Sequence, residues 1–283
     1  MTLPTVSIVV PSYNQARYLR ESIESLINQR DQIHELIVMD GGSTDESASI
    51  IQQYESELTH WQSAPDKGQS DAIIQGFERS SGDILTWINS DDAMIPGAIL
   101  DMREAFASNP SIGFIEGNTV IIDQDSTVLR CEHRAGPSRR WAKLGYMRIH
   151  QPSTMFRRSL YEEVGGIDRS LHCTMDTDLW YRMFRVSDSM RLDRYTGVHR
   201  IHTDAKGEHD SWKEQYAKER TILDQRYSEF RNNPIRYQLG RIALIGSKLV
   251  NTRSKIVRVN SSNFAGKKLN TVSTELGIAA PSR

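Results

Sequence analysis

The chain has 283 residues, 38% of them hydrophobic and 25% charged, and a formal net charge of −1. That length admits one large domain or two small ones around a sizeable core, and no apolar run approaches the roughly 20 residues needed to cross a bilayer. The only cysteines, Cys131 and Cys173, lack C-x-x-C spacing, which argues against a disulfide scaffold or a thiolate zinc site.

At the N-terminus, MTLPTVSIVVPSYN has no basic stretch before its apolar run, and Pro11 breaks that run early. No signal peptide is expected, and the chain reads as cytoplasmic. TVSIVV (5–10) and ELIVMD (35–40) are continuous apolar runs that read as buried parallel strands. Between them ARYLRESIESLINQ sets Leu19, Ile23, Leu26 and Ile27 at helical intervals, which completes a β-α-β unit. A helix over about 45–56, a short strand at HWQS, a helix over 69–79 and the strand DILTWI (83–88) continue the alternation. Four strands alternating with helices predict a doubly wound α/β sheet whose ligands bind beyond the strand C-termini.

After a helix over about 97–108 the pattern changes. IGFIEGNTVIIDQDSTVL reads as strands joined by turns, RAGPSRRWAKLGY as a loop and a short helix, HQPSTMFRR as a strand, and MDTDLWYRMFRV as a helix beginning near Asp176. Residues 210–230 read as a charged helix, 235–258 as a second helix, and 261–283 as a polar, disordered tail. Residues 236–268 carry eight basic side chains and no acid, whereas residues 1–235 carry 26 basic and 35 acidic ones. In the basic segment Ile242, Leu249 and Ile256 recur every seven residues, as do Arg241, Lys248 and Lys255, so an apolar stripe lies beside a basic one. Such a helix packs on its own domain or on a second copy in a homodimer, or it lies on an anionic surface. Reversible contact with the inner membrane face through 235–268 is the expectation it raises.

Four polar clusters fall at the predicted strand ends: PSYN (11–14), DGGSTD (40–45), APDKGQSDA (64–72) and NSDD (89–92). Alone, each also reads as a helix entry, with Ser43 or Thr44 as a cap in the second. Four at one sheet edge read as a binding site. Asp91 and Asp92 repel each other, so holding both there takes a cation, a hydrogen-bond donor or water. With Asn89 beside them they suit magnesium or manganese, which keeps most of its waters and takes other ligands from phosphate oxygens. Such an ion neutralises charge developing on a diphosphate leaving group.

VSIVVPSYNQARYLRESIESLINQ, ELIVMDGGSTDES, DKGQSDAIIQGF, SGDILTWINSDD, HQPSTMFRR and MDTDLWYRM, in this order and spacing, resemble an inverting family 2 glycosyltransferase of the GT-A fold over roughly residues 4–205. The resemblance implies a donor-binding half over 1–108, an acceptor and catalytic-base half over 109–205, C-terminal helices over 206–260 and a tail over 261–283. It implies transfer of a sugar from a nucleoside diphosphate sugar, a UDP-sugar first, to a hydroxyl of a glycan or lipid-linked acceptor. The setting it implies is cell-surface polysaccharide or glycolipid assembly, with no nucleic-acid partner. By position, Pro11, Ser12 and Tyr13 become the nucleoside wall, and Asp40 the acceptor that reads the base or ribose. Asp66, Lys67 and Asp71 fall near the diphosphate and donor sugar. Asn89 and Asp91 occupy the ends of the family's D-x-D metal motif, and Asp92 touches the donor sugar or the metal shell. His202, in HRIHTDAK, ligates the metal or donates to phosphate.

The chain also departs from the family pattern. Asn89 leaves the metal one charge short, and Ile73 and Ile74 stand where many relatives carry Arg-Asn, so Lys67 is left to compensate. Met175 and Asp176 stand where the family has Glu-Asp. Asp176 is the expected base that takes the acceptor hydroxyl proton, with Asp178 second. His150 and Gln151 are expected to bind acceptor or orient the base. Trp180 reads as core, or as a platform under a sugar ring. Two other functions share parts of this pattern. A sugar nucleotidyltransferase would need a glycine-rich triphosphate loop, which VVPSYNQARYL lacks. A non-catalytic nucleotide-sugar-binding module is favoured by Asn89 and Met175 in place of acids.

Overall fold

The computed structural model describes residues 2–133, 139, 142, 147, 149–203, 205–206, 210–228 and 264–278. The basic helix expected over 235–258 lies outside the described residues, as does most of the loop and short helix expected over 134–146.

The first half follows the alternation read from the sequence: β1 (Val6–Ser12), α1 (Ala16–Ile27), β2 (Glu35–Asp40), α2 (Ser47–Gln53), β3 (His60–Ser63), α3 (Gln69–Glu78) and β4 (Ile84–Trp87). The second half holds β5 (Ala93–Met94), α4 (Ala98–Ser108), β6 (Ile112–Ile122), β7 (Val128–Glu132), β8 (Thr154–Arg157), α5 (Arg158–Glu163), α6 (Met175–Val186), β9 (Asp188–Arg200), α7 (Lys213–Arg226) and α8 (Leu269–Ile278). One sheet runs in the order β3-β2-β1-β4-β8-β6-β9-β5, with β7 paired to β6. Strands β1 to β4 pair in parallel. Beyond β4 the sheet is mixed: β8 is antiparallel to β4 and β6, whereas β9 is parallel to β6.

Alternation along each strand feeds two cores. Val6, Ile8, Val10, Leu36 and Val38 face α1, α2 and α4, while Val9, Ile37 and Met39 face α3 and α6. The sheet is therefore doubly wound, and its parallel strands end together at one edge.

Two elements depart from the sequence reading. β9 carries the charged residues of DSMRLDRYTGVHR, which hide a strand until their partners are seen: Arg191 pairs with Glu116 and Arg194 with Asp101. It also runs tightly past the turn at 151–153, since a Cβ on Gly197 would lie 2.3 Å from Pro152 O. Residues 264–278 are not a disordered tail. Phe264, Leu269, Val272 and Leu276 are buried in the α1-side core. Val128 N donates to Lys267 O and Leu269 N to Ser126 O, both at 2.8 Å. The last basic residues of 235–268 thus dock on the β6–β7 turn. Among the described residues, no helix is long and apolar enough to cross a membrane.

Candidate active site

The register Ser12↔Asp40 brings the ends of β1 and β2 side by side, and the loops that follow are laced together. Asn14, in the left-handed region at φ 52°, donates its N–H to Ser43 Oγ and accepts from Thr44 N, both at 2.8 Å. Asp40 is buried and accepts from Ser43 N (2.9 Å), Ser43 Oγ (2.5 Å) and Ser63 Oγ (2.6 Å). Its carboxylate therefore organises this shelf. Ser12 Oγ is buried with no partner, and Tyr13 stands 60% exposed above it. Asp66 closes over the end of β2: a Cβ on Gly41 would come within 2.9 Å of its carboxylate, which accepts from Gly68 N at 2.7 Å.

Asp71 does not join this group. It accepts from Lys67 N and Gln75 Nε2 at the start of α3 and pairs with Arg169, a favourable use of a carboxylate at a helix N-terminus. Lys67 is exposed. A cation that sequence reading missed, Lys206, lies closer in: its Nζ donates to Gln69 Oε1 at 2.9 Å, and burial pushes its pKa down.

The NSDD turn is fastened by the end of β9. Asp91 and Asp92 are tolerated side by side because their carboxylates meet different donors. Asp91 Oδ2 lies 3.0 Å from His202 Nε2. Asp92 accepts from Arg200 N at 3.0 Å and lies 3.2 Å from His199 Nδ1. Burial opposes charging of His199, but Asp92 outweighs it and lifts the pKa to about 9. Arg200 is fully buried and donates to Asp91 O, Asp123 O, Ser126 Oγ and Glu21. The sequence signal for His199 was the His-x-x-His spacing in HRIHTDAK; Arg200 between them had none.

Asn89 does not pair with Asp91 as the D-x-D reading expects. Its amide donates to Asp92 Oδ2 at 3.1 Å and accepts from Gln69 at 2.6 Å. Among the described residues, no group of three His, Cys, Asp or Glu side chains is placed to hold a metal ion. Asp91 and His202 nevertheless fit part of a divalent shell: they offer one carboxylate and one imidazole side by side, and His202 Nδ1 is buried and unpartnered. The other ligands would be phosphate and water.

The start of α6 reaches the same edge. Ser70 Oγ, in the first turn of α3, lies 2.7 Å from Leu171 O and 2.6 Å from Met175 Sδ, so Met175 packs where the family's Glu would stand. Asp176 follows, half-buried, and burial pushes its pKa up, with Glu219 adding to the effect. Asp178 points elsewhere. Two residues on, it is turned roughly 200° around the helix, buried against Arg182, Arg226 and Tyr227. Trp180 is core, stacked on Trp87 at 5.6 Å. Gln151 is buried and donates to Trp87 O. These contacts remove Asp178, Trp180 and Gln151 from the expected acceptor site. His150 lies 3.0 Å from Glu132 and is stacked on His199 at 5.4 Å.

The sequence model of the family described as "Glycosyl transferase family 2" matches residues 7–165. An uncharacterised glycosyltransferase of Rickettsia prowazekii is 30% identical over 196 residues, which is 65% of this chain and 60% of that protein. One from Mycobacterium tuberculosis is 27% identical over 194 residues, 67% of this chain and 72% of the relative. The chain thus spans about 60% of the length of the Rickettsia relative. Among solved structures, S. aureus TarS 1-349 in complex with UDP-GlcNAc superposes with a TM-score of 0.56 at 16% identity, over 70% of this chain and 59% of that one. The mannosyltransferase PcManGT of Pyrobaculum calidifontis, in complex with GDP-Man and Mn2+, gives a TM-score of 0.57 at 18% identity, over 98% and 85%.

Proposed function

Because the chain belongs to glycosyl transferase family 2, we propose that it moves a sugar from a nucleoside diphosphate sugar to an acceptor hydroxyl with inversion, using Asp176 as base. The observation that carries this reading is the pairing of the NSDD carboxylates with His199 and His202, 107 and 111 residues away. That pairing sits at the edge where the nucleoside shelf, Asp66, Lys206 and the start of α6 meet.

The shelf of Ser12, Tyr13 and Asp40 takes the nucleoside. Lys206 and the N-terminal end of α3 supply positive charge toward the diphosphate. Asp91 and His202 would hold a divalent ion, manganese or magnesium, which when bound neutralises charge on the leaving diphosphate. Asp92, fixed by three neighbours, borders the donor sugar. Asp176 takes the acceptor O–H proton as that oxygen attacks the anomeric carbon. The bond to the diphosphate breaks on the opposite face, and its electron pair leaves with the nucleoside diphosphate. A UDP-sugar remains the first choice of donor. The Mn2+ and GDP-Man of PcManGT support a divalent ion and make GDP-sugars the second choice. The acceptor is a glycan or a lipid-linked glycan in cell-surface assembly.

Asp91→Asn is expected to lower nucleoside diphosphate release by about 10²-fold, and excess chelator to do the same to the unaltered chain. Full turnover in chelator would remove Asp91 and His202 from a metal role. Pyrophosphate release from a nucleoside triphosphate and a sugar phosphate would instead favour a nucleotidyltransferase.

A further inference from the structure

The turn just before Asp176 is bonded to a residue far along the chain. Glu219, on α7 and beyond the segment that the family model matches, is 1% exposed. Its Oε1 accepts from His172 N at 2.8 Å, and its Oε2 from Cys173 N at 2.9 Å, Thr174 N at 2.8 Å and Thr174 Oγ1 at 3.0 Å. Gln215, one turn earlier, steadies it with a 2.8 Å bond. Three successive backbone N–H groups therefore converge on one carboxylate just before α6 begins. Burial alone would push the Glu219 carboxyl up, yet these bonds hold it below the usual glutamate range, so it is ionised at neutral pH. Three residues earlier on α7 stands Tyr216, whose titratable neighbours are Asp176, Cys173 and Glu219. The far end of α7 is fixed separately, by Leu223 in the α6-side core and by Tyr227 on Asp178.

We propose that Glu219 is the positioning residue of Asp176: it fixes the turn at 172–174 from which the base projects and sets a permanent negative charge beside it. The proposal rests on Asp176 being the base. Only a carboxylate offers two acceptor oxygens to these N–H groups and at the same time makes Asp176 a stronger base. The titratable groups facing Asp176 are Glu219 and Tyr216 from α7, with Cys173 on the turn and Lys206 opposite Cys173 and Glu219. Lys206 acts against Glu219, and burial pushes the Tyr216 phenol well above its ordinary value, so it is neutral across the working range.

The test uses the full chain with a panel of UDP- and GDP-sugars, reading nucleoside diphosphate release, and measures UDP and GDP binding by calorimetry. Glu219→Gln is expected to lower kcat by about 10-fold or more, to leave nucleoside diphosphate affinity within about twofold, and to move the acid limb of kcat to lower pH. The sign follows from the lost negative charge: Asp176 then ionises at lower pH. Glu219→Asp keeps the charge and shortens the reach, so kcat falls while the limb stays where it was. Wild-type kcat in both variants overturns the proposal, as does a slow Glu219→Gln whose limb has not moved. Should Glu219→Gln not fold, Glu219→Asp decides, and wild-type kcat in it overturns the proposal. Asp176→Asn is run in parallel: if it retains turnover, the base reading falls and this proposal with it. If it is inactive while both Glu219 variants behave as wild type, only the positioning role falls.

Discussion

Asp176→Asn is expected to lose sugar transfer by a factor of about 10² or more while keeping nucleoside diphosphate affinity and thermal midpoint near those of the parent. The amide is nearly isosteric and accepts the same bond from Thr177 N, so α6 has no reason to move. What disappears is the capacity to take a proton. Because burial raises the Asp176 pKa above the ordinary aspartate value, the parent enzyme's kcat should fall as pH drops through a point above the usual carboxylate range, since the protonated acid cannot serve as base. Single-turnover rates against pH, with calorimetry for binding, separate the chemical step from affinity. Equal turnover in the variant, or a loss confined to affinity, would reassign the base.

Asp178→Ala is expected to act on stability instead, lowering it by about 3–5 kcal/mol in urea unfolding. The Asp178 carboxylate is buried and receives Arg182 at 2.7 Å, Arg226 at 3.1 Å and the Tyr227 hydroxyl at 2.7 Å. Its removal leaves the Arg182 guanidinium and the Tyr227 phenol short of an acceptor at the seam between α6 and α7, while Arg226 keeps Asp168 at 2.7 Å. The cost comes from those stranded donors more than from the ion pairs themselves. Folded Asp178→Ala should still bind nucleoside diphosphate. A change below about 1 kcal/mol would show that Arg182 and Tyr227 find other partners.

The contrast between these two aspartates marks how far the sequence could be read. The β-branched runs of β1 and β2 and the helical spacing in α1 are local signals, and they placed the strand ends that carry Asp40, Asp66, Asp91 and Asp92. Sequence motif order also put His202 near the NSDD turn. The fate of Asn89 was not legible, because it depends on Gln69, twenty residues earlier, and on Lys206 behind it. Nor was β9, whose charges conceal a strand until Glu116 and Asp101 are seen to meet them. The helix at 269–278 was hidden by averaging: Leu269, Val272 and Leu276 form an apolar stripe in an otherwise polar segment. Asp71 and Asp178 show the converse failure, since a carboxylate in the first turn of a helix serves structure as readily as chemistry.

The most direct measurement is proton NMR of the full chain incubated with Mn2+ and a panel of UDP- and GDP-sugars, following the anomeric signals as the donor is consumed. The predicted result is release of nucleoside diphosphate from at least one donor, with the sugar appearing first in the opposite anomeric configuration, and no such reaction in Asp176→Asn. Retained configuration in the first-formed product, or consumption of donor at the same rate by Asp176→Asn, would contradict an inverting transfer that depends on Asp176.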